Sequence, residues 1–376
     1  MKGFLILFVV MVCCWACSRK QNVKFLQLNI WQEGTMVKGG YDALVNELVR
    51  TDADFVMLSE VRNYHNTRFC DRITASLKAK GKTYYSFYSY DSGLLSKYPL
   101  IDSATVFPEK GDHGSIYKLV ADMNGREIAV YTAHLDYRNC AYYDVRGYDG
   151  DSWGRLEAPL TDVDSILRKN VASQRDDAIQ LFLDDAAKER AKGRLIFIGG
   201  DFNEPSHQDW TEATKDLADH HGVVIPWTVT TLLTEQGFRD AFRSFYPDPV
   251  KNPGYTYPAD CKDVDLKRLL WAPEADERER IDYIFYFPAK GLTLSRVRLY
   301  GPQGCVRRGV RTPEDAADTF VEPLDIWPTD HKGIIAEFQV QSLQFLWQPF
   351  IFLIVYLVIL LCCFFGTKND RVYIKM

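Results

Sequence analysis

Between Lys24 and Val340 the chain runs repeatedly through apolar segments of strand length that stop at a polar side chain, and this recurring stop restricts the fold more than any other feature. Lys24–Ile30 (KFLQLNI) carries Asn29 near its end, Asp54–Ser59 (DFVMLS) is followed by Glu60, and Glu127–His134 runs into His134 and Asp136. Leu195–Gly200 leads into Asp201 and Asn203 in IFIGGDFN, Arg280–Phe287 holds Asp282 in RIDYIF, and Asp330 with His331 precedes Gly333–Val340. Gly93–Ser96 and Ser115–Asp122 complete the strand candidates. Between the strands, Tyr41, Leu44, Val45 and Leu48 recur at helical spacing, and Ser173–Lys192 and Gln208–His220 also fit helices. Strands alternating with helices, without an internal repeat or a Gly/Ser/Pro linker, predict one α/β domain over residues 22–341.

In open α/β sheets, ligand-binding and catalytic groups collect just outside strand ends, so six polar stops predict one convergent cleft. Each stop alone has a plain structural explanation. Asn29 is a turn residue, Glu60 a helix cap, Asp201 an Asx-turn and His134 a satisfied core histidine. The ordered set is what points to chemistry.

That set resembles the endonuclease/exonuclease/phosphatase superfamily, the DNase I-like fold. The resemblance rests on LNIW, SEV, AHLD, GDFN, RIDYIF and the DH pair in this order, with SGLLSKYPL similar to the family's Gly-then-Ser-then-Pro strand pair. It spans roughly residues 24–340 and implies a four-layer α/β sandwich, two packed central β-sheets flanked by helices. It also implies a metal-dependent phosphoric ester hydrolase, most readily a phosphodiesterase, using Mg²⁺ with Mn²⁺ as a substitute. Glu60 would be the principal metal ligand, with Asn29 and Asp330 completing the site. The chemistry is consistent, because a phosphodiester repels an incoming hydroxide and its leaving alkoxide needs stabilising, and a hard cation held by one or two carboxylates answers both. Too few histidines lie at the strand ends for a nitrogen-rich zinc site. The family pattern offers two general bases, Asp201 assisted by Asn203, or His331 oriented by Asp282. His134 is assigned to the phosphoryl oxygens or to protonating the leaving group.

Composition narrows the class further. A chain of 376 residues that is 25% charged with a net charge of −5 does not hold nucleic acid chiefly through a basic surface. Both ends read as targeting segments. Residues 1–17 combine Lys2, the apolar run Phe4–Val12 and a Cys13, Cys14, Ala16, Cys17 close, similar to a bacterial lipoprotein signal in which Cys17 is acylated. Residues 345–365 are apolar except for Gln348 and Pro349 and reach roughly 30 Å as a helix, which reads as a transmembrane span. Lys368, Arg371 and Lys375 in the tail, residues 366–376, favour the cytoplasmic side. The expectation is a membrane-anchored bacterial member with its catalytic domain outside the cytoplasm, in the cell envelope. Cys70, Cys140, Cys261 and Cys305 then form two disulfides or stay as buried thiols.

Two irregular stretches, Asp136–Asn170 and Pro247–Glu279, are expected to border the cleft, with Asp136, Arg138, Tyr255 and Tyr257 as substrate-binding candidates. Arg62, Arg68, Arg138, Arg146 and Arg155 are candidates for a local phosphate-facing group. The substrate is a phosphate ester, whether lipid, nucleic acid or small molecule, and no dedicated protein partner is evident. A catalytically silent scaffold would have lost Glu, Asp or His at these positions, and all are present.

Overall fold

In the computed structural model, which describes residues 19–342, the first strand, Arg19–Asn29 (β1), already displays the layering. Val23 and Phe25 face one apolar layer and Leu26 and Leu28 another, the two-residue alternation of a strand covered on both sides. One six-stranded sheet is ordered Phe320–Val321 (β13), Leu292–Tyr300 (β10), Gly333–Ser342 (β14), β1, Phe55–Val61 (β2) and Asp91–Ser96 (β3). The other is ordered Leu100–Phe107 (β4), Gly114–Met123 (β5), Arg126–Leu135 (β6), Leu195–Asp201 (β7), Asp282–Tyr286 (β9) and Arg239–Asp240 (β8). Cys305–Arg307 (β11) and Val310–Thr312 (β12) form a separate hairpin.

The helices, in chain order, are Gly40–Thr51 (α1), Phe69–Ala79 (α2), Ala141–Val145 (α3), Val163–Asn170 (α4), Arg175–Ala191 (α5), Thr228–Glu235 (α6) and Ala241–Phe245 (α7). Leu44 and Leu48 of α1 and Ile73 and Leu77 of α2 pack on Leu26, Leu28 and Leu58 of the first sheet. Ile179 and Phe182 of α5 and Leu233 of α6 pack on Tyr131, Ile196 and Ile198 of the second. Phe25, Phe55, Met57, Leu119, Phe197 and Phe338 fill the layer between the sheets. Asn22–Val340 forms one compact unit with the expected four-layer α/β architecture.

The layer between the sheets is apolar along most of its length and polar at one end. There, Gln27 reaches Asp282, Asn29 reaches Asp201, the Ser59 hydroxyl donates to the Ala133 carbonyl and Thr132 to that of Leu58, each bond crossing from one sheet to the other. Burying so many polar groups is tolerated because most of them satisfy one another, the Gln27 side-chain oxygen being the exception among these four bridges. Close approach at this end depends on Gly199 and Gly200. A Cβ on Gly199 would lie 2.7 Å from the Met57 sulfur, and one on Gly200 would lie 1.9 Å from the Ala133 carbonyl oxygen.

Gln208–His220 is not a helix but a chain of turns. Asp209 is held by Arg243 and Arg280, Ser206 Oγ accepts from Gln208 N, and Thr214 Oγ1 donates to the Asp209 carbonyl, so side chains take the partners a helix would need. Cys70, Cys140, Cys261 and Cys305 are free and buried, so the disulfide alternative falls. The leader over 1–17, the span over 345–365 and the tail over 366–376 lie outside the described residues. Among the described residues no helix is long and apolar enough to cross a membrane.

Burial pushes the thiols of Cys70, Cys140 and Cys305 up to about 11 and that of Cys261 up to about 12. Iodoacetamide at neutral pH is therefore expected to spare these four in the native protein and to label all of them in denaturant. Peptide mass mapping reads the result, and native labelling of any one would show that its packing is looser than described.

Candidate active site

Strand register brings the strand-end groups together. His134 of β6 pairs with Asp201 of β7 in the parallel ladder, and Asp201 pairs with Asp282 of β9 in the antiparallel one, so three ionisable residues lie abreast. From the other sheet, Asn29 ends β1 opposite Ser59 of β2. Glu60 follows at a bulge between Ser59 and Val61, with φ 68°, an irregularity that turns its carboxylate out of the ladder toward Asn29. Asp330 and His331 immediately precede β14.

The side chains are linked by hydrogen bonds. Asn29 Nδ2 donates to Glu60 Oε1 at 3.1 Å and to Asp201 Oδ2 at 2.9 Å, while Asn29 Oδ1 accepts from the Trp31 amide at 2.9 Å. Glu60 Oε2 accepts from the Gln32 amide at 2.9 Å. His331 Nδ1 lies 2.9 Å from Asp282 Oδ2, and Gln27 Nε2 donates to Asp282 Oδ1 at 2.6 Å. A carboxylate partner fixes Nδ1 as the donor and leaves Nε2 directed elsewhere, here 3.8 Å from Asp201 Oδ2. His134 Nδ1 likewise meets Asp91 Oδ1 at 2.8 Å, and Arg62 meets the same carboxylate at 2.7 Å. Asn203 donates through Nδ2 to the Leu135 carbonyl at 2.8 Å, and its amide donates to Asp201 Oδ1 at 2.9 Å.

Glu60, His134, Asp201, Asn203, Asp330 and His331 line a single cleft of about 300 Å³. Burial and the neighbouring Asp282 push Asp201 up to about 6. Burial also pushes Asp330 up to about 7, opposed by His331 and reinforced by Glu60. For His331, burial disfavours the charged ring, but Asp282 and Asp201 outweigh it and raise the group to about 10. Asp91 raises His134 to about 9 against the same desolvation. The cleft thus concentrates carboxylates that lack an equal number of neighbouring cations.

Over residues 26–331 the sequence matches the Endonuclease/Exonuclease/phosphatase family, a span that takes in every strand-end group described above. The chain belongs to that family. Members of the Endonuclease/Exonuclease/phosphatase family are phosphoester hydrolases that use divalent metal ions. An uncharacterized protein of Caenorhabditis elegans is 27% identical over 347 residues, covering 89% of this chain and 98% of that protein. This relative lends no support to the bacterial source expected above. The chain is also similar to Danio rerio TDP2 complexed with single-strand DNA product, at 17% identity and a TM-score of 0.48 over 85% of this chain and 99% of that one. The human Nocturnin catalytic domain matches at 14% identity and a TM-score of 0.47, over 86% and 96% respectively.

An oxygen-rich donor set suits the divalent ion that the family uses. Glu60 and Asp330 both reach the cleft, where Asp330 Oδ1 has long contacts, 3.4 Å with the Thr329 hydroxyl and 4.0 Å with His331 Nε2. Asp201, Asp282 and His331 also offer one ligand atom each within 4.8 Å of one another, but His331 and Asp282 already hydrogen-bond each other. Asn29, expected as a ligand, is seated as the donor that joins Glu60 to Asp201.

Of the substrate-binding candidates, Tyr257 lines the cleft, its ring 5.0 Å from that of His331. The others do not. Tyr255 lies under Arg278 and faces a separate cavity of about 960 Å³ that contains none of the strand-end groups. Asp136 accepts from the Arg138 amide and contacts His113, while Arg138 contacts His113 and donates to the Gly111 carbonyl, so both close a loop outside the cleft lining. Of the five candidate arginines only Arg62 lines the cleft. Arg68 pairs with Asp71, Arg146 with Glu279 and Arg155 with Glu274.

Residues missed from the sequence include Asp91, Gln27 and Ser59. Gln27 shares a strand face with Asn29, and Asp91 opens the SGLLS strand, so both carried a readable signal. Trp153 and Trp271 in the cleft wall carried none, since their meeting depends on the path of two irregular loops.

Proposed function

We propose that the chain is a Mg²⁺-dependent hydrolase of phosphate esters, most readily a phosphodiesterase. One observation carries this reading. The carboxylates of Glu60, Asp201 and Asp330 and the ring of His331 share one cleft, with the buried Asp282 bonded to His331 from behind and Asn29 bonded to both Glu60 and Asp201. Glu60 and Asp330 would hold the ion, which when bound neutralises charge on the phosphate and on the departing oxygen. Asp201, raised toward neutrality by burial and Asp282, accepts a proton from the attacking water, and the Asn203 amide fixes its orientation. His331, with Nδ1 held by Asp282, presents Nε2 to the phosphoryl group, and His134, held by Asp91, donates to a second oxygen.

Hydrolysis of bis-p-nitrophenyl phosphate is expected to vanish on EDTA treatment and to return with Mg²⁺ or Mn²⁺. Turnover that persists unchanged in EDTA would remove the metal-dependent reading. We also propose, from the apolar ends, that the protein is membrane-anchored with this cleft outside the cytoplasm. Full-length protein should then stay in the membrane pellet after alkaline carbonate washing, and recovery in the soluble fraction would reject the anchor.

A further inference from the structure

The cleft is unlike a polyanion track. Among the described residues lining it, Arg62 is the one lysine or arginine, and its guanidinium is committed to Asp91 at 2.7 Å and to Asp112 at 3.4 Å. A strand of nucleic acid needs cations for the phosphates on either side of the reacting one, and beyond Arg62 and the two histidines at the reacting centre, His134 and His331, no lysine, arginine or histidine among the described residues lines this cleft. The walls are instead rich in aromatic side chains. Tyr143, Trp153 and Trp271 form a continuous ladder, with centroids 5.1 Å apart for Tyr143 and Trp153 and 4.9 Å apart for Trp153 and Trp271. Trp271 is 51% exposed and borders the same cleft as Glu60 and His331.

The ladder is built across two loops and is held deliberately. Glu277, fully buried, accepts through Oε2 from the Trp271 and Ala272 amides and from the Tyr143 hydroxyl, all at 3.1 Å. One carboxylate therefore fixes the Trp271 loop against the Tyr143 helix α3. The rings of Trp153 and Trp271 are too close for a third ring between them, so the outer face of Trp271 is the one available for stacking.

We propose that Trp153 and Trp271 are specificity-determining residues, and that the site takes a compact phosphate ester bearing a single flat ring, neutral or cationic, rather than a polymer. This rests on the hydrolase reading above. An aromatic-walled cleft of about 300 Å³ accommodates one phosphate and one ring system, offers a stacking face through Trp271, and among its described lining residues has no lysine or arginine other than Arg62 for further phosphates. The ring can be attached directly through the ester oxygen, as in an aryl ester, or carried on a sugar, as in a nucleoside phosphate.

The test compares three diesters with Mg²⁺: bis-p-nitrophenyl phosphate, the p-nitrophenyl ester of thymidine 5′-monophosphate, and bis-glycerol phosphate, which has no ring. Trp271→Ala and Trp153→Ala are expected to raise KM for a ring-bearing ester by about 10-fold, with kcat within about 3-fold of wild type and the glycerol diester unaffected. Trp271→Phe should restore most of the affinity. The arm with the larger loss identifies the aryl or the nucleoside source. Equal shifts for ring and glycerol esters, or no shift for either, would overturn the proposal. A reading independent of turnover is quenching of tryptophan fluorescence by phenyl phosphate but not by methyl phosphate, lost in Trp271→Ala. If the wild type hydrolyses none of the diesters, the hydrolase reading fails on its own, whereas absent quenching by phenyl phosphate rejects the ring platform.

Discussion

Glu60→Ala and His331→Ala should each lower phosphoester hydrolysis by at least about 10²-fold, the usual scale for a lost general acid–base group or a displaced metal ligand. The two losses have different origins. Glu60 sits at a bulge and accepts from both Asn29 and Gln32, so its removal empties the point where the two polar strand ends meet and weakens the hold on the divalent ion. His331 is held through Nδ1 by Asp282, which is itself held by Gln27, so its removal leaves Asp282 Oδ2 without that partner and the phosphoryl group without Nε2. Raising Mg²⁺ should therefore recover part of the Glu60→Ala loss and none of the His331→Ala loss. Steady-state rates across a Mg²⁺ series, with circular dichroism to show retained folding, make the comparison. Wild-type turnover in either folded variant would overturn the assignment of that residue.

Arg280→Met is expected to be the most damaging substitution for stability among the charged residues discussed, at about 3–5 kcal/mol. Arg280 is fully buried, donating through Nε to Asp209 at 2.8 Å and through Nη1 to Asp240 at 2.6 Å. Methionine fills similar space but leaves two buried carboxylates short of their cation. Asp209 keeps Arg243, whereas Asp240 keeps only backbone donors at the start of α7. A urea titration measures the change, and a loss below about 1 kcal/mol would mean that these carboxylates reach water or protonate cheaply. Arg280 precedes Asp282 by two residues, so the same variant should also lose activity through a displaced β9.

The strands that carry the site were legible because each central strand alternates between two buried faces and the inner face turns polar at one end. KFLQLNI, IFIGGDFN and RIDYIF each record that change directly. Less legible elements lacked this double constraint. Leu100–Phe107 lies at a sheet edge with most of its side chains partly or fully exposed, and its mixed composition conceals a strand. Leu292–Tyr300 carries Leu292, Leu294, Val297 and Leu299 on its more buried side, but a bulge between Leu294 and Arg296 breaks the period, whereas α2 was readable through Phe69, Ile73 and Leu77. Gln208–His220 misled because local side-chain hydrogen bonds and buried ion pairs outweighed its helical spacing. Tyr257 reaches the cleft and Tyr255 does not, since the turn at Gly254 and the cation at Arg278 decide where the first tyrosine goes. The arginines were the least readable, because pairing with Asp71, Glu279 or Glu274 is a matter of tertiary neighbours.

The hydrogen bonds that cross between the sheets make the two halves of the sandwich interdependent. Gln27, Asn29 and Glu60 come from one sheet, and His134, Asp201 and Asp282 from the other. Neither sheet alone contains the full set, and sliding one over the other by a single residue, about 3.4 Å, would carry every bridging side chain out of hydrogen-bond reach of its partner. The site is therefore a property of the docked pair of sheets, and its geometry depends on the seam between them staying closed.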